Sequence, residues 1–102
     1  MGGGAVVVRK LTEEERAAFF RDHPEWSEAE GKDGATRTFR FGSFAEAFGW
    51  MTRIAIEAEK ADHHPEWFNV YDRVEVTLTT HDAGGLSERD VAMARVMDAA
   101  AE

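Results

Sequence analysis

Cysteine is missing from all 102 residues, which removes disulfides, thiolate metal sites and a cysteine nucleophile together. Proline is nearly missing: the two present, Pro24 and Pro65, each mark a definite break in the chain. Basic residues are short relative to acidic ones, 12 against 20, giving a net charge of −8 and a pI near 4.9. Direct nucleic-acid binding needs a basic surface that displaces counterions, so this balance argues against it. No apolar run approaches the ~20 residues of a membrane span. The opening MGGGAVVVRK has only a four-residue apolar run and no basic start, unlike a secretory signal. A soluble cytoplasmic protein with no membrane partner is the expectation.

What is present suffices for one domain. An apolar fraction of 43% is ordinary for a globular chain, and a chain of this length buries roughly two-thirds of its unfolded surface. Residues 1–10 read as a flexible leader or short strand, and 11–102 as a single domain. Thr12 with Glu15 forms a capping box that opens a helix to about Asp22, where Pro24 stops it. Trp26–Glu30 and Ala35–Phe41 read as strands about the turn Gly31–Gly34, with Phe39 and Phe41 on one face. Ser43 with Glu46 opens the longest helix, ending near Asp62. Phe44, Ala47, Phe48, Met51, Ile54, Ala55 and Ala58 recur there at three- and four-residue steps and are expected to share the buried face. Burying each large member contributes about 1.5–3 kcal/mol.

Trp67–Tyr71 and Arg73–Thr80 read as a second pair of strands. Val74, Val76 and Leu78 alternate with polar residues, and His81 falls in phase with the polar face at the strand's end. The loop Asp82–Gly85 leads to Ser87, which caps a third helix with Asp90 at the fourth position and Leu86 and Val91 as a hydrophobic staple. His23-Pro-Glu-Trp26 recurs as His64-Pro-Glu-Trp67, each time after a helix and before two strands. The order α-β-β-α-β-β-α implies an α+β fold: a four-stranded antiparallel sheet with three helices packed on one face.

Three of the four histidines lie between Glu59 and Asp90: the adjacent His63 and His64, and His81. Pro65 forbids a continuing helix and pushes His64 to an extended backbone. Carboxylates at Glu59, Asp62 and Glu66 and aromatics at Trp67, Phe68 and Tyr71 surround the pair. Imidazoles beside carboxylates and flat rings suit proton transfer on a planar, uncharged substrate. His63 falls four residues after Glu59, so on a helix that carboxylate would hold its tautomer. Taken alone, a histidine there offsets the helix dipole, His64 packs against Trp67, and His81 is a solvated loop residue. A three-histidine zinc site is disfavoured, because adjacent side chains diverge and no helical His-x-x-x-His is present.

The spacing is Glu59, three residues, His63-His64-Pro65, five residues, Tyr71, nine residues, His81, eight residues, Asp90. It resembles the signature of the pterin-4a-carbinolamine dehydratase family, through His64-Pro-Glu-Trp-Phe-Asn-Val-Tyr71 and Leu86-Ser-Glu-Arg-Asp90. The resemblance implies the same α+β fold and a dehydratase that takes water from 4a-hydroxytetrahydropterin to give the quinonoid dihydropterin. On it, His63, His64 and His81 are catalytic, with His63 and His81 moving protons and His64 positioning the ring. Glu59, Asp62, Thr79, Thr80, Trp26 and Arg89 contact or surround the substrate, and Asp90 caps its helix. No cofactor and no metal are implied. The implied partners are the pterin substrate, a second copy in a homodimer or homotetramer, and an aromatic amino-acid hydroxylase whose cofactor is recycled. Some family members also serve as dimerisation cofactors for a homeodomain transcription factor, which leaves a non-catalytic interaction protein as the alternative.

Overall fold

Each helix begins where a short side chain offers an oxygen to the first turn. Thr12 Oγ1 accepts from the Glu15 N–H at 3.1 Å while Glu15 accepts from the Thr12 N–H at 2.9 Å, opening α1 (Glu13–Asp22). Ser43 accepts from the Glu46 N–H at 3.1 Å and opens α2 (Phe44–Ala61). Ser87 and Asp90 form a second reciprocal box at the start of α3 (Glu88–Ala101). The computed structural model describes residues 7–102. Most of the expected leader, residues 1–6, lies outside the described residues; Val7 to Arg9 are irregular, and Lys10 makes an isolated antiparallel bridge with Ser87.

Between the helices lie β1 (Ser27–Glu28), β2 (Ala35–Arg40), β3 (Glu66–Val70) and β4 (Arg73–Leu78). They form one antiparallel sheet in the order β1-β2-β4-β3, so the two hairpins meet along β2 and β4. The α+β architecture expected from the sequence is the one found. Three strands are shorter than their patterns suggest, β2 only by its last residue, Phe41. β1 keeps two residues, because Trp26 turns into the core instead of pairing. β4 ends at Leu78, and His81 begins a short 3₁₀ turn (His81–Ala83) rather than closing a strand.

Ala35, Phe39, Val74, Val76 and Leu78 send their side chains from the sheet into the core, against Ala47, Trp50, Ile54 and Ala58 of α2 and Met93, Ala94 and Met97 of α3. An aromatic chain runs through it, Trp26 to Phe39 at 5.9 Å between centroids, Phe39 to Trp50 at 4.5 Å and Trp50 to Trp67 at 6.2 Å. The buried face of α2 keeps Ala47, Ile54 and Ala58 as expected and differs at its borders. Phe44, Phe48 and Ala55 are exposed, whereas Trp50 is buried and donates from Nε1 to the Met97 carbonyl at 3.2 Å.

Candidate active site

The end of α2 decides where the two adjacent histidines go. Asp62 takes a left-handed conformation (φ 51, ψ 44), its N–H returning to the Glu59 carbonyl at 3.2 Å while the His63 N–H returns to the Ala58 carbonyl at 3.1 Å. This is the Schellman closure, with aspartate in a position usually held by glycine. The reversal throws His63 inward toward α3 and leaves His64 outside, beside the last turn of α2.

The carboxylate partners are therefore exchanged relative to the sequence expectation. His64, not His63, contacts Glu59, with Nε2 2.7 Å from Oε1, and both side chains are exposed. His63 is buried, with Nε2 2.6 Å from Asp90 Oδ1. The i,i+4 neighbour rule holds only while the backbone stays helical, and it stops doing so at Asp62. Asp90 is fully buried and its two oxygens divide the work. Oδ2 accepts from the Ser87 N–H at 3.0 Å and from Thr80 Oγ1 at 2.7 Å, completing the cap, while Oδ1 remains for His63. Thr80 Oγ1 also lies 2.6 Å from Ser87 Oγ.

An open cleft of about 250 Å³ is lined by Asp62, His63, His64, Glu66, Thr79, Thr80, His81, Asp82 and Arg89. Seven residues expected at a site from the sequence thus come together: three histidines, Asp62, both threonines and Arg89. Glu59 stays at the margin, acting on His64. Trp26 is not brought there. It is 2% exposed in the core, with its indole N–H 3.0 Å from Asp98 Oδ1. Asp82 and the histidine-holding role of Asp90 were missed. The available signal for Asp90 was that a capping carboxylate uses one oxygen on its own helix and leaves the other free.

Larger concavities of about 430 and 340 Å³ lie beside Val7–Leu11 and between α1 and α3. The latter contains His23, which packs on the Phe19 ring at 4.9 Å and ends α1. Neither gathers more than one histidine, so chemistry, not size, places the candidate site at the smaller cleft. Among the described residues no three histidine, aspartate or glutamate side chains are grouped to hold a metal ion.

The arrangement can exchange protons with a flat ligand from two directions. An ionised Asp90 keeps the His63 proton on Nε2 and leaves Nδ1 as the basic nitrogen. His81, exposed on its 3₁₀ turn, faces the same cleft from the chain that leaves β4. Arg89 adds a fixed positive charge at the rim.

Known proteins share this chain almost end to end. The sequence model described as pterin 4 alpha carbinolamine dehydratase matches residues 9–100. A Rhodopseudomonas palustris protein provisionally named pterin-4-alpha-carbinolamine dehydratase is 58% identical over 95 residues, covering 93% of this chain and 94% of its own. A Novosphingobium aromaticivorans protein with the same provisional name is 58% identical over 93 residues, covering 91% and 97%. The crystal structure of a Brucella melitensis transcriptional coactivator/pterin dehydratase matches with a TM-score of 0.89 and 48% identity, over 92% of this chain and 100% of that one.

Proposed function

The chain belongs to the pterin 4 alpha carbinolamine dehydratase family, and from that membership we propose that it removes water from a 4a-hydroxytetrahydropterin by histidine acid–base catalysis. In the reaction the C4a–O bond breaks, the N5 proton leaves and a C4a–N5 double bond forms, giving the quinonoid dihydropterin and water. One group must protonate the departing hydroxyl and another must accept the N5 proton. His63 and His81 fill those two roles, each contributing roughly 10²–10⁴-fold, while His64 positions the ring. The observation that carries this reading is the buried His63–Asp90 contact of 2.6 Å, which fixes one imidazole's tautomer at the wall of the cleft. Asp62 and Arg89 supply polar contacts for a pterin ring, while the Thr79 and Thr80 hydroxyls, committed to the Asp33 carbonyl and to Asp90 and Ser87, shape the wall beside it. Neither metal nor cofactor enters this scheme.

The proposal extends to the physiological setting: a cytoplasmic enzyme recycling the pterin used by an aromatic amino-acid hydroxylase. A homodimer or homotetramer is part of the same reading. Phe44, Phe48 and Ile56 on α2, Phe68 and Val70 on the edge strand β3, and Tyr71 in the turn after it leave apolar surface in solvent. The deciding experiment is a dehydratase assay on freshly generated 4a-hydroxytetrahydropterin, with the uncatalysed rate subtracted. Acceleration is expected; a folded protein that gives none overturns the proposal.

A second reading, a non-catalytic partner of a transcription factor, is favoured by one observation, the coactivator half of the Brucella protein's name. Under it, His81→Ala would leave function intact.

A further inference from the structure

The loop that presents His81 has little packing of its own. His81, Asp82 and Gly84 are exposed, and the loop is closed by reciprocal backbone hydrogen bonds between Thr80 and Gly85 at 3.1 and 3.2 Å. Its position is therefore set at its two ends, and one residue outside the cleft touches both. Asp33, in the turn between β1 and β2, accepts at its carbonyl from Thr79 Oγ1 at 2.9 Å, on the chain entering the loop. Its carboxylate lies against Gly85 on the chain leaving it, in the space a side chain would fill; a Cβ at Gly85 would overlap that carboxylate.

The carboxylate is itself fixed from α1 and the segment before it. Arg16 Nε donates to Oδ1 at 2.8 Å, and Lys10 Nζ stands 3.7 Å from Oδ2. Arg16 is mostly buried and reaches on to Glu28 at 3.1 Å. A turn aspartate without a structural task points to water; here Oδ2 is buried with no hydrogen-bond partner among the described residues. Such a group is costly to hold in place, and its position directly over Gly85 is what that cost accompanies.

We infer that Asp33 is a positioning residue for His81: it seats both ends of the Thr80–Gly85 loop and couples the site to α1 through Arg16. The inference rests on the dehydratase reading for its kinetic consequence but not for its geometry. Displacing a proton-transfer group by an ångström can cost on the order of 10²-fold in rate.

The test is a cycle of Asp33→Ala and His81→Ala on the full chain, read as kcat and KM for 4a-hydroxytetrahydropterin. Asp33→Ala should lower kcat by about tenfold or more with KM within about threefold, and in the His81→Ala background the same change should cost less than about twofold. Asp33→Asn, which retains an acceptor for Arg16 and the bulk against Gly85, should stay near wild type. Equal losses in both backgrounds would reduce Asp33 to a support of the fold, and no loss in a folded variant would remove its role altogether. If Asp33→Ala does not fold, Arg16→Gln takes its place in the cycle. Imidazole NMR gives an arm independent of turnover: the variant should move the His81 ring signals and spare those of His63. If wild type shows no turnover, the dehydratase reading falls while this spectrum still decides the positioning role; unchanged His81 signals overturn it.

Discussion

Asp90 grips His63 from 27 positions further along the chain, across a 2.6 Å contact sealed from solvent. Asp90→Asn should keep the cap, because a carboxamide oxygen can still accept from Ser87 and Thr80. Its NH₂ would then face Nε2 and force the opposite tautomer on His63. We expect a folded protein with kcat reduced by at least about 10²-fold, whereas Asp90→Ala also loses stability, by about 1–3 kcal/mol or more from buried groups left unpaired. Turnover together with urea midpoints separates the two; an active Asp90→Asn enzyme would contradict the tautomer argument.

Under the proposed mechanism, His63 and His81 should act as a unit. Dehydration requires one protonated and one neutral group, so kcat/KM is expected to follow a bell-shaped pH profile after the uncatalysed rate is removed. His63→Ala and His81→Ala should each cost a large factor, and the double variant far less than their product. Multiplicative losses with a flat pH profile would refute the assignment.

Glu59→Gln tests the exchanged pairing. Glu59 meets the exposed His64, and exposed ion pairs are worth at most about 1 kcal/mol. Turnover should change by no more than about fivefold, with any effect on KM. A collapse of kcat would mean that Glu59 governs His63 after all.

Acid should weaken the start of α1 in a defined window. The Arg9 guanidinium, followed by the Thr12 N–H, holds the Glu15 carboxyl down at about 2. A carboxyl lowered on folding stabilises the protein above its ordinary range near 4.5, and the contribution disappears as pH falls through about 2. The Tm difference between wild type and Glu15→Gln, which retains the capping geometry, should be constant above pH 5 and shrink toward pH 2. The pair is solvent-exposed, so added salt should reduce it at every pH.

Helix starts were legible because capping acts within four residues: Thr12 and Ser87 form reciprocal boxes, and Ser43 caps α2, although Glu46 meets its hydroxyl instead of returning a bond to its N–H to complete the expected box. The buried face of α2 was legible only in part: Ala47, Ile54 and Ala58 are buried as their spacing implies, but Phe44, Phe48 and Ala55 stay exposed. Two apolar borders flank that shared row, Phe44 and Phe48 on one side and Trp50 on the other, and hydrophobicity alone does not rank them. Packing against β4 and α3 selects the second. The histidine cluster could be read from its spacing, but not which carboxylate holds which ring, since that depends on one left-handed residue. The repeated His-Pro-Glu-Trp shows the same limit: Trp26 is enclosed in the core, whereas Trp67 is only partly covered at the edge of the sheet.

That left-handed residue, Asp62, also makes two identical neighbours chemically unequal. His63 faces a sealed carboxylate with 8% of its surface accessible, while His64 stands in water. An acylating reagent such as diethyl pyrocarbonate, whose attack needs an open imidazole nitrogen, meets His64 and His81 well before His63. Adjacent histidines that no sequence-directed reagent could tell apart can thus be derivatised in order, with a bound pterin ring expected to shield them in a different order again.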